Sequence, residues 1–221
     1  GWRSLLNDPQ VRWFLILAVG LVLLLIWHLM QTGLGFGEAV RQASFNGVSI
    51  MTGTGYVSAN FSAWGGFATT ILLIVMFIGG CGGSTTCGIK VFRLQVLAST
   101  AKVQISRLLR PHAVVLAYYN KRPVSVEVMD SVMGFFYLFI LGFVLIAIML
   151  GMTGLDFVTA LSGAATSISN VGPGLGEVIG ADGNFSTLPD SAKWIMSFAM
   201  LLGRLEIFTV LVMLNPAFWQ R

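Results

Sequence analysis

Two short uncharged turns, Thr52-Gly53-Thr54-Gly55-Tyr56 and Ser169-Asn170-Val171-Gly172-Pro173, are the segments whose residue types best suit chemistry, and that chemistry is ion coordination by main-chain oxygen. A cation leaving water must replace its hydration shell. Rings of carbonyls do so only where the chain can turn successive C=O groups to one side. Glycine permits such a backbone. Each turn lies between a membrane-length apolar segment and another apolar segment, and irregular backbone at membrane depth is tolerated only when buried in protein or lining a wet path. The candidate coordinating residues are therefore Thr52, Gly53, Thr54 and Gly55 in one turn, and Ser169, Asn170, Val171 and Gly172 in the other.

A second candidate set lies where the later helices are interrupted. The run Gly79-Gly80-Cys81-Gly82-Gly83-Ser84-Thr85-Thr86-Cys87-Gly88 holds five glycines in ten residues. At ~1 kcal/mol per glycine relative to alanine, it predicts an unwound middle. Arg204 and Glu206 interrupt the last apolar helix. A charge at mid-bilayer costs from ~2.5 to over 10 kcal/mol, so an intramembrane arginine reads as functional. The expectation is that Arg204 lies just below the coordinating turns as an electrostatic barrier, with the loop Gly79 to Gly88 as a movable obstruction. Glu206, two residues away, would face Arg204 poorly along one helix.

Other chemistries are poorly supported. Cys81 and Cys87 lack a nearby histidine or further cysteines, so small residues in a crowded place fit better than a metal site. The stretch from Gly83 to Lys90 superficially has the look of a phosphate loop, but its lysine is displaced by one residue and followed by Val91. His28 in an apolar helix and His112 in a basic linker have no set of Ser, Asp or Cys placed to work with either. The chain reads as a non-enzyme.

The elements that must position these turns belong in a bilayer. With 56% hydrophobic and 10% charged residues and a mean hydropathy of +0.83, too few polar residues remain to coat a soluble globule of 221 residues. Spanning helices are predicted over Val11 to Met30 and Val126 to Gly151. Two segments too short to cross, Glu38 to Met51 and Phe157 to Ile168, precede the turns as re-entrant half-helices. Their carbonyl ends would point at a cation. Trp64 to Ile78 leads into the glycine-rich break, a helix resumes from Ile89 to near Arg110, and Ser191 to Phe218 forms the final helix. Trp2, Trp13, Trp27, Trp64, Trp194 and Trp219 mostly fall at predicted helix ends, as an interfacial belt would.

The pattern occurs twice. Gly55 and Gly172 are 117 residues apart, and at that spacing Thr52 matches Ser169 and Ser49 matches Thr166. Met76-Phe77-Ile78-Gly79 matches Met200-Leu201-Leu202-Gly203 at a spacing of 124, which assigns seven extra residues, including Asp182, Gly183 and Asn184, to the outer loop of the second unit. The predicted organisation is a membrane repeat over 1–110, a basic linker over 111–125 and a second membrane repeat over 126–221. Lys90, Arg93, Lys102, Arg107, Arg110, Lys121 and Arg122 form a stretch without acids, which places it in the cytoplasm by the positive-inside rule. Topology thus explains the net charge of +4, and no nucleic-acid partner follows from it.

The combination of Met76-Phe77-Ile78-Gly79, Gly83-Ser84-Thr85 with Gly88-Ile89-Lys90, and Gly203-Arg204 after the second turn resembles the Trk/Ktr/HKT superfamily of potassium transporters, and within it the bacterial TrkH proteins. The resemblance covers nearly the whole chain. It implies an all-α integral membrane fold of helix–pore-helix–helix repeats, four around one pseudo-fourfold pore, with one glycine per filter at Gly55 and Gly172. It also implies potassium uptake across the bacterial inner membrane, an intramembrane gate at Gly79 to Gly88, and a homodimer. The implied partners are the N-terminal half of the same transporter, lipid, and a TrkA-like cytosolic nucleotide-binding regulatory subunit. Two departures stand out: Cys87 occupies a position where a further glycine is common, and two repeats are present instead of four. The chain looks like the C-terminal half of such a protein, its third and fourth repeats.

Two alternatives remain open at this level. A coupled secondary transporter, such as a cation symporter, would also use repeats and broken helices. It would be expected to bring polar side chains into the breaks, which here are nearly bare. A Na⁺-permeable cation transporter differs only in selectivity.

Overall fold

The computed structural model describes residues 8–110, 115–120, 122–205, 207–214 and 216–219. Trp2, His112, Lys121 and Glu206 lie outside the described residues. The first unit comprises α1 (Pro9–Gln31), α2 (Phe36–Met51), a 3₁₀ turn at Phe61–Trp64, α3 (Gly66–Met76) and α4 (Val91–Leu109). A two-residue hairpin, β1 (Tyr118–Tyr119) with β2 (Arg122–Pro123), leads to α5 (Val126–Met152), α6 (Phe157–Ser169) and α7 (Gly176–Ile179). A 3₁₀ turn at Phe185–Thr187, α8 (Asp190–Arg204) and α9 (Ile207–Leu214) follow. The chain is an all-α integral membrane protein of two tandem helix–half-helix–helix repeats.

Length and composition fix the two spans. At ~1.5 Å per residue, α1 and α5 extend about 35 and 40 Å, beyond the ~30 Å hydrocarbon core. Only 17% and 22% of their most apolar windows are buried, so most of each surface faces outward, as lipid-facing helices require. Asp8 starts α1 by accepting from Gln10 N–H at 2.8 Å, with Pro9 at the first helical position where its missing N–H costs nothing. Both spans stop alike. The Thr32 and Thr153 hydroxyls donate to Leu29 O (2.7 Å) and Leu150 O (2.6 Å), and Gly33 and Gly154 follow at φ +92° and +88°.

The half-helices pack in two linked cores. Helix α2 lays Ala39, Ala43, Gly47 and Ile50 against Leu21, Leu25 and Leu29 of α1; a Cβ on Gly47 would come 3.1 Å from Leu25 Cδ1. Helix α6 is built largely of small residues, which lets it sit between α5 and α8 through Ala160, Ala164 and Ile168. Ala165, Val171 and Leu175 belong instead to the first core, so the second unit closes the first.

Three boundaries differ from the sequence expectation. Matching Thr32-Gly33 with Thr153-Gly154 gives a spacing of 121 at the entry to the half-helices, against 117 at the turns, so the second half-helix has lost about one helical turn. The Asn184 side chain accepts from Ser186 N–H as Asn60 accepts from Ser62 N–H. Asn184 is therefore the counterpart of Asn60, and the extra residues lie before it, where they form α7. The final helix is not continuous: α8 ends at Arg204 and α9 begins at Ile207.

Candidate functional site

The two glycine turns are built alike from the ends of their half-helices. Gly53 N–H donates to Ile50 O (3.1 Å) and Thr54 N–H to Ser49 O (2.9 Å). In the second unit Asn170 N–H donates to Ser167 O (3.2 Å) and Val171 N–H to Thr166 O (3.0 Å). The third bond differs in kind. Gly55 N–H reaches Ser49 O (3.3 Å), whereas Gly172 N–H reaches the Thr166 hydroxyl (3.0 Å). Each turn thus caps the carbonyl end of its helix, the end that carries partial negative charge.

Polar side chains on the half-helices hold the chain as it leaves the turns. The Ser49 hydroxyl donates to Tyr56 O (2.7 Å), and Asn46 Oδ1 accepts from Ser58 N–H (3.0 Å). Ser162 plays the Asn46 part in the second unit, its hydroxyl accepting from Leu175 N–H at 3.0 Å. At the far end of α6, Asp156 Oδ2 accepts from Thr159 N–H at 3.1 Å. Hydrogen bonding from the Thr159 side chain outweighs partial burial and, with main-chain N–H groups, holds the Asp156 carboxyl below its ordinary range.

The turns meet. Gly55 has φ +75°, and a Cβ there would overlap the Val171 carbonyl oxygen and lie 3.2 Å from Pro173 Cδ. A Cβ on Gly172, at φ +116°, would lie 3.7 Å from Gly55 Cα, and one on Gly53, at φ +65°, would lie 3.8 Å from Asn170 O. Main-chain oxygens of the second turn therefore stand against the glycines of the first, and at Gly55 there is no room for a side chain between them.

Beneath them the glycine-rich segment forms a pinched loop. Ile78 and Ile89 form a parallel bridge, with Gly79 N–H donating to Ile89 O (2.9 Å) and Ile89 N–H to Phe77 O (2.8 Å). Because the bridge is parallel, the chain leaves the neck in the direction it entered. The loop is a side excursion between α3 and α4. Gly79 must lack a Cβ because one would overlap Cys87 O. Gln10 Oε1 accepts from Gly82 N–H at 2.6 Å, tying the loop to α1.

The family models decide the identity: one described as TrkH, cation transport protein, matches residues 1–221. The chain belongs to the TrkH family. It is 45% identical over 219 residues to the Trk system potassium uptake protein TrkI of Halomonas elongata, covering 99% of this chain and 44% of that protein. Against the Trk system potassium uptake protein TrkH of Vibrio parahaemolyticus it is 40% identical over 218 residues, covering 97% and 44%. The crystal structure of the potassium transporter TrkH from Vibrio parahaemolyticus superposes with a TM-score of 0.89 at 38% identity, over 97% of this chain and 46% of that one. This TrkH-family chain thus spans less than half the length of the relatives it matches.

Within this TrkH-family chain, Arg204 reaches the loop: Nη1 donates to Thr85 O at 2.8 Å and lies 3.6 Å from Cys87 Sγ. Gly203 sets its position, since a Cβ there would overlap Ile168 O at the end of α6. Arg204, Lys90, Arg93, residues 84–88, Phe135 and Phe139 line a partly open cavity of about 200 Å³. The Arg93 guanidinium stacks 3.7 Å from the Phe135 ring centroid. Cys81 and Cys87 are free thiols.

The structure brings Gly53 and Gly55 beside Asn170, Val171 and Gly172, while the Thr52 and Thr54 hydroxyls pair with each other at 2.7 Å within the first turn. It does not bring every side chain there. Ser169 is buried, 2% exposed, and the Asn170 amide turns back to Met200 O at 3.1 Å. Gln10 and Thr166 are the residues the sequence reading missed as contributors. Thr86 Cγ2 lies 3.4 Å from the Cβ position of Gly53, so the loop tip sits under the first turn. Thr166 carried a signal: it is a hydroxyl on a helix of alanines, matched at the 117 spacing by Ser49.

Proposed function

We propose that this chain forms half of a potassium permeation path across the bacterial inner membrane, with main-chain oxygens around Gly55 and Gly172 as two adjacent sides of a selectivity filter. The observation that carries the reading is the direct apposition of the two turns at Gly55 and Val171. Two half-helices aim their carbonyl ends at that place, which favours a cation. The breaks present main chain and small residues, which suits a bare ion better than an organic solute.

In this reading the N-terminal half of the same transporter supplies the other two sides, as the third and fourth repeats here supply theirs. The loop Gly79 to Gly88, held by Arg204 under the first turn, is the gate. The potassium uptake names of the relatives support K⁺ as cargo. The basic segment between the repeats faces the cytoplasm, where exposed Arg122 contributes to docking an acidic surface of a nucleotide-binding regulatory subunit. The assembly is a homodimer.

The test is cation flux through the complete transporter in liposomes. K⁺ and Rb⁺ should pass in preference to Na⁺, and Gly55 variants should abolish the preference. Equal flux of all three ions, or none, overturns the proposal.

A further inference from the structure

Asn170 does something at the second turn that backbone geometry alone does not require. Its φ of +53° lies in the left-handed region, and its counterpart in the first turn is Gly53 at φ +65°. Glycine adopts that conformation most readily, with asparagine tolerated. The amide adds a bond that glycine cannot make: Nδ2 donates to Met200 O at 3.1 Å. In the register of α8, that carbonyl is the one Arg204 addresses with its own backbone N–H. A Cβ on the intervening Gly203 would stand 2.8 Å from Asn170 Nδ2, so the helix end rests against this side chain.

From there the contacts close a ring. Arg204 Nη1 donates to Thr85 O at 2.8 Å. The adjacent Thr86 packs under Gly53, and Asn170 O faces Gly53 from the other turn. Turn, helix end, guanidinium, loop and opposite turn form one circuit.

We infer that Asn170 is a positioning residue for the gate, holding the last turn of α8 so that Arg204 reaches Thr85 and linking the latch to the turns where the ion rests. The inference rests on the proposed permeation path and adds to it a residue through which filter and gate share one equilibrium. Loss of one amide–carbonyl bond should shift the closed-to-open ratio about three- to tenfold.

The complete transporter carries the test, in a background where Cys87 is the sole cysteine. Cys87 Sγ, 3.6 Å from Arg204 Nη1, reports whether the latch holds. Asn170→Gly keeps the left-handed backbone without the donor, and Asn170→Asp keeps the shape with acceptors only. Both should raise the open fraction in bilayer recordings, and the rate of Cys87 modification by a cationic methanethiosulfonate, about three- to tenfold. Neither should raise them further in an Arg204→Ala background, as expected for groups acting through one contact. Unchanged labelling and open fraction overturn the inference. So does an effect that multiplies with that of Arg204→Ala, or a changed K⁺/Rb⁺ permeability ratio with unchanged labelling. Failure of the permeation reading looks different: the unmodified transporter would carry no K⁺ at all, whatever the thiol does.

Discussion

Gly55→Ala is the sharpest perturbation the geometry offers. The added methyl would stand closer than 3.0 Å to Val171 O, where ordinary contact begins at 3.4 Å, and 3.2 Å from Pro173 Cδ. Val171 belongs to a turn pinned by its N–H to Thr166 O at 3.0 Å, so the oxygen cannot retreat without pulling on α6. It must move by more than about 0.4 Å, comparable to the ~0.5 Å tolerance of a working site. The alanine must also hold φ +75°, which costs roughly 1–2 kcal/mol. Gly172→Ala pays only the backbone term, because its nearest neighbour would be Gly55 Cα at 3.7 Å. The two variants should therefore rank. In the complete transporter in liposomes, Gly55→Ala should lose discrimination of K⁺ from Na⁺ and most of its flux, while Gly172→Ala retains measurable K⁺ flux. Wild-type discrimination by Gly55→Ala, or greater damage from Gly172→Ala, would refute the assignment of these oxygens to ion coordination.

Arg204→Ala removes a charge-assisted bond to Thr85 O worth about 1.5–3 kcal/mol, so the open fraction should rise roughly ten- to a hundredfold; single-channel recordings with unchanged gating would sink the latch. Gly203→Ala forces a methyl into Ile168 O, and thermal unfolding of the purified protein should show a loss of about 3 kcal/mol or more. A melting curve like that of the parent would mean that α8 does not pack there. Asp156→Ala should cost about 1 kcal/mol through the lost cap of α6. Because the folded-state carboxyl is held low, its contribution is complete above the unfolded value near ~3.9 and is lost as pH falls through the lower folded value. Asp156→Asn should keep the cap yet flatten that acid limb, and an identical acid limb in the Asn variant would contradict this.

What the sequence made legible was whatever repeats or runs long. The two spans follow from uncharged length, and the turns from glycines at one spacing preceded by short segments. The lost turn of α6 was hidden because Thr32-Gly33 and Thr153-Gly154 are common dipeptides, informative only once both are seen ending a helix. The asparagine-capped turns at Asn60 and Asn184 were legible in principle, since Asn-Phe-Ser stands at both places at the 124 spacing. Contacts such as Gln10 to Gly82 and Asn170 to Met200 left no periodic trace, because a side chain that closes on distant main chain obeys geometry alone. The same holds for Arg204: its charge marked it, but its acceptor, a carbonyl 119 positions away, carries no residue-type signature.

The neck at Ile78 and Ile89 gives the excursion between α3 and α4 a freedom that few intramembrane segments have. Because the crossing point is stitched by main chain to main chain, the flanking helices can keep their alignment through changes in the loop's side chains, except at Gly79, where a Cβ would overlap Cys87 O. If the loop is the gate of the proposed permeation path, substitutions within it should retune how quickly and how widely that path opens while the surrounding scaffold stays untouched. Kinetic diversification among related transporters would thereby be cheap at this place and costly almost everywhere else near the axis.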